Sequence, residues 1–261
     1  MTPWRDKWAV VTGASAGIGR ELAKQLAQGG ANLVLTARRG DRLAELAADL
    51  RGRYQVQAET FIADLAQPQG AEEIFRFSQE KSLPIEVLIN NAGFGVNGDF
   101  IGSEERRLLD MTQVNVVSVM HLARLFLPPM AERHSGYMLI VASTAAFQSV
   151  PYLSTYAATK AFDLLFAEGL AQELRPHGVR VCALCPGSTT TEFQQVAGQN
   201  MPTGGSKEPA EKVARVALQA LAKGKPMVIS GFKNWLGMET QRFIPRSWVT
   251  RTIAQMYKPR V

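Results

Sequence analysis

Short apolar segments alternate with longer helical patterns along most of the chain, and this alternation limits the possible folds more than any other feature. Seven segments are rich in Val, Ile, Leu and Ala, and several are apolar on both faces, as strands are when helices cover both sides of a parallel sheet. They are KWAVVT, ANLVLTA, YQVQAETFIA, IEVLIN, GYMLIVAS, GVRVCALC and KPMVIS. Because few residues separate strand from helix, the sequence predicts βαβ units with right-handed crossovers, and therefore one doubly wound α/β domain.

The helical patterns fill the intervals between these strands. One opens at Gly17, and the others are predicted over about 41–51, 68–80, 104–133, 154–175 and 208–223. No internal repeat occurs, and no linker is long enough to separate two domains. The sequence therefore divides into residues 1–230, which carry all of the predicted strands, and residues 231–261, a C-terminal extension of the same domain.

The positive charge of the chain is concentrated in that extension. There are 29 Lys and Arg residues against 23 Asp and Glu, a formal net charge of +6. Between Phe232 and Val261, six basic residues and the single acid Glu239 give +5 of this charge. A nucleic-acid-binding domain carries a basic face on its body, so nucleic acid is not expected as a partner.

Cysteine content and hydropathy bear on the cellular compartment. Two cysteines occur in 261 residues, too few for a disulfide framework, so a reducing compartment is expected. The opening MTPWRDKWAVV places charges where a signal peptide has its apolar stretch. No apolar run reaches the roughly 18 residues of a membrane span. These features predict a cytoplasmic protein without a transmembrane segment.

A glycine-rich turn follows the first strand and leads into a helix. Gly13, Gly17 and Gly19 stand in the segment Thr12–Gly19, in the form Gly-x-x-x-Gly-x-Gly. Glycines at this spacing let the backbone turn sharply and approach a pyrophosphate, which the helix N-terminus then binds. Three glycines alone are weak evidence, but their place between strand and helix predicts that residues 1–230 bind a dinucleotide.

The end of the second strand bears on which dinucleotide binds. An NAD site usually has an acidic residue there for the ribose 2′-hydroxyl, whereas this chain has Ala37 followed by Arg38 and Arg39. Guanidinium groups pair with a 2′-phosphate, so the sequence favours NADP(H). Consecutive residues leaving a strand point apart, and we expect Arg38 to dominate while Arg39 reaches only solvent. The alternative is that RRGDR is a solvated helix start, although a helix N-terminus disfavours cations.

Further motifs occur in a fixed order along the chain. They are Asp64 after the third strand, Asn90-Asn91-Ala92-Gly93 after the fourth, Asn115 in the long helix, Ser143 after the fifth strand, Tyr156-Ala-Ala-Thr-Lys160, and Pro186-Gly187 after the sixth. With the glycine turn, these residues resemble the short-chain dehydrogenase/reductase family from about Lys7 to Ser230. The resemblance implies a Rossmann-type domain whose seven-stranded parallel sheet has the order 3-2-1-4-5-6-7, flanked by helices and followed by a helical tail.

Four residues are candidates for catalysis: Asn115, Ser143, Tyr156 and Lys160. Tyr156 and Lys160 are four residues apart and share a helix face. A free tyrosine has a pKa near ~10, and we expect Lys160, with an oxidised nicotinamide, to lower it. Ser143, at the carboxyl end of a strand, would hydrogen-bond the substrate oxygen. The resemblance implies that Asn115 opens its helix locally and holds a water that connects Lys160 to solvent. Taken singly, Tyr156 could instead be a packed helix residue, and Asn115 could be a core amide.

The resemblance also implies which residues contact the cofactor. Asp64 and Leu65 would meet the adenine, the backbone of Asn91–Gly93 the adenosine ribose, and Thr189 and Thr191 the nicotinamide carboxamide. A hydroxyl in the glycine turn would add to the 2′-phosphate contacts. The full predicted set is Gly13, Ser15, Gly17, Ile18, Gly19, Arg38, Arg39, Asp64, Leu65, Asn91, Ala92, Gly93, Tyr156, Lys160, Pro186, Gly187, Thr189 and Thr191.

Two cysteines and three histidines have the chemistry of a metal site but not its spacing. Cys182 and Cys185 lie in an apolar strand, where residues three apart point to opposite faces, so they fit neither a disulfide nor a shared metal. His121, His134 and His177 are far apart and lack the spacing of zinc ligands. No metal is predicted.

The substrate side is less sharply defined. Residues 188–207 are rich in Gly, Thr and Gln, which is typical of a mobile lid over an active site. Phe94, Phe147, Tyr152 and Phe193 stand near the catalytic residues in the sequence and predict a largely apolar pocket. The alternative for each of these aromatic residues is that it packs the edge of the sheet.

The tail carries a second amphipathic pattern. Trp248, Val249, Ile253, Met256 and Tyr257 fall on one helical stripe. We predict a helix folded over the substrate pocket or onto a partner subunit. The alternative is peripheral contact with a membrane surface through the basic, Trp-bearing face of the tail.

Together the motifs predict an NADPH-dependent oxidoreductase that reduces a ketone or aldehyde to an alcohol, reversibly, with Tyr156 as general acid and base. The expected partners are a small, largely apolar carbonyl or alcohol substrate and a second copy, because in the family helices like those at 104–133 and 154–175 form a two-fold interface; a dimer is favoured over a tetramer. One alternative is a 3-oxoacyl-carrier-protein reductase, whose acidic partner would suit the basic tail. Another is a non-catalytic dinucleotide-binding regulator, which would not need Ser143 or Lys160.

Overall fold

The computed structural model of the protein describes residues 2–197 and 207–258. Seven parallel strands form one sheet in the order β3-β2-β1-β4-β5-β6-β7, which confirms the predicted topology. They are β1 Trp8–Thr12, β2 Asn32–Ala37, β3 Ala58–Ile62, β4 Ile85–Asn90, β5 Gly136–Val141, β6 Val179–Cys185 and β7 Met227–Ile229. The order reverses between β1 and β4, where open parallel sheets bind their ligands.

Ten α-helices accompany the sheet in the described part of the chain. They are α1 Gly17–Gln28, α2 Gly40–Tyr54, α3 Gly70–Glu80, α4 Glu105–Thr112, α5 Ser118–Glu132, α6 Ser154–Glu173, α7 Phe193–Ala197, α8 Ala210–Ala222, α9 Phe232–Thr240 and α10 Arg246–Tyr257. One face of the sheet packs on α1, α2 and α8, and the other on α3, α5 and α6. The sheet is therefore the middle of three layers.

Alternate residues of the central strands enter opposite layers of the core. In β1, Ala9 and Val11 belong to the cluster under α1, α2 and α8, whereas Val10 belongs to the cluster on the other face. Cys182 and Cys185 of β6 are divided between the same two clusters, and both are buried free thiols. The prediction that these two cysteines point to opposite faces is confirmed.

The boundary between α2 and β3 differs from the prediction. The sequence placed the helix end near Arg51 and the strand from Tyr54, whereas α2 continues to Tyr54 and β3 begins at Ala58. Tyr54 and Val56 pack against the core from the helix end and the turn after it, so their alternation is not that of a strand. The helix stops where Gln55 adopts a left-handed conformation, with a φ of 55°.

The long helix predicted over 104–133 is interrupted. A π-helical turn, Gln113–Val117, joins α4 to α5. The combined stretch from Glu105 to Glu132 is long and apolar enough to cross a membrane, but half of its most apolar part is buried inside the protein. Leu122 and Phe126 of α5 are among the core residues beneath the sheet. We therefore describe this stretch as a core helix.

The segment after β6 contains more regular structure than the sequence indicated. Thr189–Thr190 pairs with Glu208–Pro209 as a separate two-stranded sheet, and α7 follows the first of these strands. The segment 188–207, predicted to be a mobile lid, thus has regular structure in its described part, and backbone pairing joins its start to the residues that follow it. The remainder, 198–206, lies outside the described residues.

The tail folds back onto the body of the domain. Ile253 and Tyr257 of α10 pack against a small core cluster that includes Met111, Val150 and Leu153. This contact places the last helix beside the N-terminal half of α6, where the predicted catalytic residues lie.

Candidate active site

A cleft of about 720 Å3 lies at the carboxyl ends of the strands. Its wall is formed by the glycine turn, the ends of β2 and β3, the loop after β4, the start of α6 and the segment after β6. The predicted site residues that line it are Gly13, Ser15, Gly17, Ile18, Arg38, Arg39, Asp64, Leu65, Asn91, Ala92, Gly93, Ser143, Tyr156, Lys160, Pro186, Gly187, Thr189 and Thr191. Residues far apart in the sequence therefore meet in one cleft.

The glycine turn fits the pyrophosphate of a dinucleotide. Gly13 and Gly17 have φ angles of +66° and +55°, in a region that favours glycine. A Cβ at Gly13 would lie 2.7 Å from Asn91 Nδ2. Helix α1 begins at Gly17, and Ala16 before it provides no side-chain cap, which leaves the first backbone N–H groups to an anion.

Gly19 is a predicted cofactor residue that lies behind the cleft wall. A side chain at Gly19 would collide with Asn91 Nδ2 and the Gly13 carbonyl oxygen. Its glycine therefore lets α1 approach the loop after β4, which brings the helix N-terminus to the cleft.

Thr12, which the sequence analysis gave no role of its own, ties the two phosphate-side loops together. Its hydroxyl oxygen accepts hydrogen bonds from the backbone N–H groups of Asn91 at 3.0 Å and Ala92 at 2.9 Å. Asn91 Nδ2 donates in turn to the Thr12 carbonyl oxygen at 2.8 Å. In the sequence, this role of Thr12 was indicated only by the presence of a threonine at the last position of a buried strand.

The two arginines after β2 both line the cleft. Arg38 is exposed, whereas the Arg39 guanidinium donates to Ser15 Oγ from Nε at 3.2 Å and from Nη2 at 3.0 Å. Arg39 also donates to Glu192 from Nη1 at 2.7 Å. The prediction that Arg39 reaches only solvent is wrong, because α2 starts at Gly40 and the chain turns back towards the glycine turn.

Glu192 is a second residue that the sequence analysis missed. Its carboxylate accepts hydrogen bonds from both Arg39 and Arg42, the latter at 2.6 Å. These hydrogen bonds hold the pKa of Glu192 below its usual value. The segment after β6 is thereby connected to the start of α2, across the end of the cleft where Arg38 lies.

Ser143, Tyr156 and Lys160 face the cleft from two elements. Ser143 follows β5 by two residues, and its side chain lines the cleft together with that of Tyr156. Its Oγ accepts from the backbone N–H of Ala145 at 3.1 Å, which fixes its orientation. Lys160 Nζ lies 5.9 Å from the centre of the Tyr156 ring. The structure thus brings the three predicted side chains together.

Asn115 lies in the π-helical turn and is fully buried behind the cleft. Its Oδ1 accepts from the Phe94 backbone N–H at 3.1 Å, and its Nδ2 donates to the Phe94 carbonyl oxygen and to Thr159 Oγ1, both at 3.0 Å. The predicted local opening of the helix is confirmed. A Cβ at Gly93 would lie 3.1 Å from Asn115 Oδ1 and 3.4 Å from Lys160 Nζ, so both polar atoms lie beside the position that a side chain would fill.

The pKa of Tyr156 results from opposing effects. Burial raises it above the ordinary value of 10.0, Lys160 and Ser143 lower it, and Asp163 raises it, with a net increase. In the protein on its own, the loss of hydration outweighs the lysine charge. The predicted decrease in the tyrosine pKa includes the charge of an oxidised nicotinamide, and it stays a prediction. A tyrosine that keeps its proton is suited to donate it.

Asp163 is the third residue that sequence reasoning missed. It lies one turn after Lys160 on α6, and its Oδ2 accepts a hydrogen bond from Lys160 Nζ at 2.9 Å. The two side chains are 1% and 6% exposed. Lys160 Nζ also donates to the Val141 carbonyl oxygen at 2.8 Å. The three-residue spacing was visible in the sequence, but spacing alone does not distinguish a buried ion pair from a surface one.

Two of the four aromatic residues that were predicted to line the pocket do line the cleft. Phe94 and Phe193 line the cleft, and the rings of Phe193 and Tyr156 are 5.3 Å apart. Phe147 packs on the core and Tyr152 lines a separate small depression, so neither belongs to the cleft wall. The alternative that the side chain packs on the sheet therefore holds for Phe147. Tyr152 fits neither reading.

The tail supplies one wall of the cleft. Its lining residues are Met238, Gln241, Ile253, Met256 and Tyr257. The interpretation of the tail as a helix over the pocket agrees with this placement. Trp248, which the sequence placed on the same stripe, is 65% exposed, because it lies in the first turn of α10, before the helix reaches the body of the domain.

Comparisons with known proteins agree with this architecture. The family model for short chain dehydrogenases matches residues 7–202. An uncharacterized oxidoreductase of Staphylococcus saprophyticus is 32% identical over 221 residues, which cover 85% of this chain and 93% of that protein. The very-long-chain 3-oxoacyl-CoA reductase-B of Danio rerio is 34% identical over 196 residues, covering 73% of this chain and 62% of that protein.

A solved structure shows the same likeness. The short-chain dehydrogenase from Sphingobium yanoikuyae in complex with NADPH has a TM-score of 0.82 with this chain, at 30% sequence identity. The alignment covers 91% of this chain and 93% of that one.

Proposed function

The chain belongs to the short-chain dehydrogenase/reductase family, and from this premise we propose that it is an NADPH-dependent enzyme that reduces a ketone or aldehyde to an alcohol, reversibly. Oxidoreductase chemistry on a carbonyl or alcohol group with a nicotinamide cofactor is the activity of the family. The finer statement concerns the cofactor, the direction and the role of each side chain.

One observation carries the proposal. Ser143, Tyr156 and Lys160 line one wall of a cleft that also holds the glycine turn, and Lys160 Nζ lies 5.9 Å from the centre of the Tyr156 ring. A regulator that only senses a dinucleotide has no use for a buried acid, a lysine and a serine converging on one point beside the cofactor position.

Four side chains have separate roles in the proposed reduction. When bound, the reduced nicotinamide supplies the hydride. Ser143 orients the carbonyl oxygen of the substrate, and Tyr156 donates the proton to that oxygen from its hydroxyl. Lys160 binds the cofactor ribose and stabilises the phenolate that remains after the proton has left. Asn115 holds the loop after β4 against α6, which keeps the lysine in place.

The proposed preference for NADPH over NADH is supported by charge. Arg38 and Arg39 follow β2, Ser15 lies within hydrogen-bond distance of Arg39, and Ala37 stands where an NAD site has its carboxylate. Hydrogen bonds from guanidinium to phosphate contribute about 1.5–3 kcal/mol each. A preference of at least about tenfold follows, because 1.4 kcal/mol is a factor of ten.

A second candidate substrate is a 3-oxoacyl thioester, on a carrier protein or on coenzyme A. The Danio rerio relative is named for reduction of very-long-chain 3-oxoacyl-CoA. The cleft wall from the tail is apolar at Ile253 and Met256, and Arg246 and Arg251 are exposed on the same helix. An acyl chain and an anionic carrier would match these two features respectively.

We also propose that the enzyme is a homodimer, paired through α4, α5 and α6 as in the family. Apolar side chains are exposed on these helices and on the π-helical turn between α4 and α5: Leu109, Val117, Met120 and Leu165. Burial of such a patch favours association. Light scattering at micromolar concentration is expected to give twice the mass of the chain, and a monomer would contradict the proposal.

The deciding experiment is a carbonyl panel assayed by oxidation of NADPH. It contains bulky ketones, aldehydes and 3-oxoacyl-CoA esters of increasing chain length, each measured with NADPH and with NADH. Turnover of simple ketones supports the first candidate, and turnover confined to long acyl thioesters supports the second. An absence of turnover across the panel, in a protein that binds NADPH, supports the non-catalytic regulator.

A further inference from the structure

The ion pair between Lys160 and Asp163 constrains the geometry of the lysine. An ammonium group has three N–H donors. One is directed to the Val141 carbonyl oxygen at 2.8 Å and one to Asp163 Oδ2 at 2.9 Å. The direction of the remaining N–H is then fixed, and it is available on the cleft side, where Tyr156 lies.

Asp163 is an unusual residue to find in a core. Burial raises its pKa to about 6, against the opposing effect of Lys160, so the carboxylate is ionised at neutral pH. Its second oxygen, Oδ1, has no hydrogen-bond partner among residues 2–197 and 207–258. A buried carboxylate with an unpartnered oxygen destabilises a fold. Packing therefore gives no reason for an aspartate here, whereas its contact with the lysine does.

Other titratable groups face the pair from neighbouring elements. Cys185 at the end of β6 lies near Lys160, and Tyr257 on α10 lies near Tyr156. Burial raises the pKa of both side chains, so both are neutral at physiological pH. Glu168, further along α6, acts on Cys185. The aspartate is therefore the negative charge that offsets the lysine.

We propose that Asp163 is a positioning residue, which fixes the Lys160 ammonium by a buried ion pair and offsets its charge, so that Tyr156 acts as a proton donor. The inference rests on the proposed carbonyl reduction. Without the carboxylate, the lysine charge would act on Tyr156 alone and would favour the phenolate. With it, Tyr156 keeps its proton to higher pH, and the site favours reduction of a carbonyl.

The test is the pH profile of kcat/KM for carbonyl reduction in Asp163→Asn and Asp163→Ser. Both substitutions remove the charge and keep a polar group of similar or smaller size. We expect the alkaline limb, where Tyr156 loses its proton, to move about one pH unit lower in both variants. Asp49→Asn is the matched control, because it removes a carboxylate from the exposed ion pair with Arg53 on α2, and its limb is expected to stay in place.

An active Asp163 variant whose alkaline limb coincides with that of the control overturns the role. Should neither variant fold, the unmutated enzyme decides: a reduction rate that already declines below about pH 8 would show an early loss of the tyrosine proton and would overturn it too. A protein that reduces no carbonyl in any form contradicts the proposed function, whereas an active enzyme with an unmoved limb contradicts only the role of Asp163.

An independent observation concerns the surface of the tail. Large apolar side chains are exposed on α9, on the first turn of α10 and between them, and Phe243 and Trp248 are 89% and 65% exposed. The residues of this surface, which we name the tail face, are Phe232, Trp235, Leu236, Phe243, Ile244 and Trp248. A contiguous stretch of such residues marks a contact with a partner or a membrane.

The charges around the tail face distinguish these two occupants. The exposed basic residues are Lys233, Arg242, Arg246, Arg251 and Lys258. One acidic residue, Glu239, is present and pairs with Arg242 at 3.1 Å. In a two-fold dimer the tail face of one copy would lie against the tail face of the other, and the basic residues of the two copies would repel one another. An anionic surface is complementary to it.

We infer that the tail face binds an anionic lipid surface. Aromatic residues would enter the interface, and the basic residues around them would pair with lipid headgroups. Ile253 and Met256 of the same segment line the cleft. Binding in this way would bring the cleft towards the bilayer, where an apolar carbonyl substrate partitions.

The test is co-sedimentation of the full chain with vesicles of phosphatidylcholine, alone or mixed with phosphatidylglycerol. Binding is expected only to the mixed vesicles, and it should weaken as salt is raised. Arg246→Gln with Arg251→Gln should lower the partition coefficient by at least about tenfold, since each basic residue near an anionic surface contributes on the order of 1 kcal/mol. Phe243→Ser with Trp248→Ser should lower it as well.

Phe100→Ser with Ile101→Ser is the matched control, because these side chains are similarly exposed but lie in the loop before α4 and are not part of the tail face; it should bind like the unmutated chain. Equal binding to both kinds of vesicle, or none to either, overturns the inference. A change in mass by analytical ultracentrifugation on Phe243→Ser with Trp248→Ser would assign the face to a second copy and would overturn it equally.

Discussion

The cofactor side and the substrate side of the cleft are built in different ways. On the cofactor side, hydrogen bonds that involve the backbone join neighbouring strand ends, as between Thr12 and Asn91 or between the N–H of Ala14 and the carbonyl of Thr36. On the substrate side, side chains from α7 and the tail pack over the opening, as Phe193 does on Tyr156. The first depends on backbone geometry and the second on tertiary packing.

The two sides of the cleft therefore differ in the substitutions that they tolerate. Backbone turns tolerate few residue types, since a Cβ at Gly13 or Gly19 has no room. A wall of partly exposed side chains such as Ile253 and Met256 can change without loss of the fold. We therefore expect few substitutions to be tolerated on the cofactor side and more on the substrate side.

The largest expected effect lies where the two sides meet. Tyr156→Phe should lower turnover by about 10²–10⁴-fold, because it removes the general acid. NADPH binding, measured by fluorescence titration, should stay nearly unchanged, since the ring remains in place. A phenylalanine variant that keeps more than about a tenth of the activity would show that Tyr156 is not the proton donor.

Glycine substitutions in the glycine turn and in the tail compare the two sides through the free energy of unfolding. Gly13→Val should lower the free energy of unfolding by about 1–3 kcal/mol, because valine is strained at a φ of +66° and would meet Asn91. Gly237→Ala in the tail helix α9 is the matched change, since nothing lies within 4 Å of its Cβ position. It should be neutral or stabilising by up to about 1 kcal/mol. Equal losses of Tm in the two variants would contradict the distinction.

Substitution of the arginines after β2 tests the cofactor side by itself, because only the kinetics with NADPH should change. Arg38→Ala and Arg39→Ala should each lower kcat/KM for NADPH about tenfold and leave that for NADH almost unchanged. Arg42→Ala is the control, because Arg42 pairs with Glu192 but does not line the cleft. Since these charges are near the surface, the preference should also shrink as salt is raised. Loss of activity with both cofactors would point to misfolding instead.

The smallest expected effect is on the substrate side. Ile253→Ala should raise KM for a bulky apolar ketone about fivefold, since a partly buried aliphatic side chain contributes about 1 kcal/mol, and it should leave KM for NADPH unchanged. Thr252→Ala, on the exposed side of the same helix, should change neither constant. If Ile253→Ala altered only the NADPH constant, the tail would belong to the cofactor side.

The resemblance to the family predicted the strand order and the meeting of Ser143, Tyr156 and Lys160, because the motifs that carry it stand near the ends of buried strands and on α6. It did not predict the contact of Arg39 with Ser15, because that depends on the direction in which a helix starts. Neither Arg39 nor Ser15 has a feature in the sequence that would indicate this contact.

Two further features of the site needed the structure for a different reason. The pKa of Tyr156 rises because burial outweighs the charge of Lys160, and a sequence shows neutralising charges more readily than loss of hydration. The ion pair of Asp163 with Lys160 has the spacing of many surface pairs. Only the packing around α6 distinguishes it from them.

The most direct test of the account is the ratio of kcat/KM for NADPH to kcat/KM for NADH in the unmutated protein, with a ketone that it reduces. Arginines at the end of β2 and a proton-donating Tyr156 in one cleft predict measurable reduction with NADPH and a ratio of at least about ten. Equal values for the two cofactors would contradict the proposed site for the 2′-phosphate, and a protein that binds NADPH yet reduces no carbonyl would contradict the proposed catalysis.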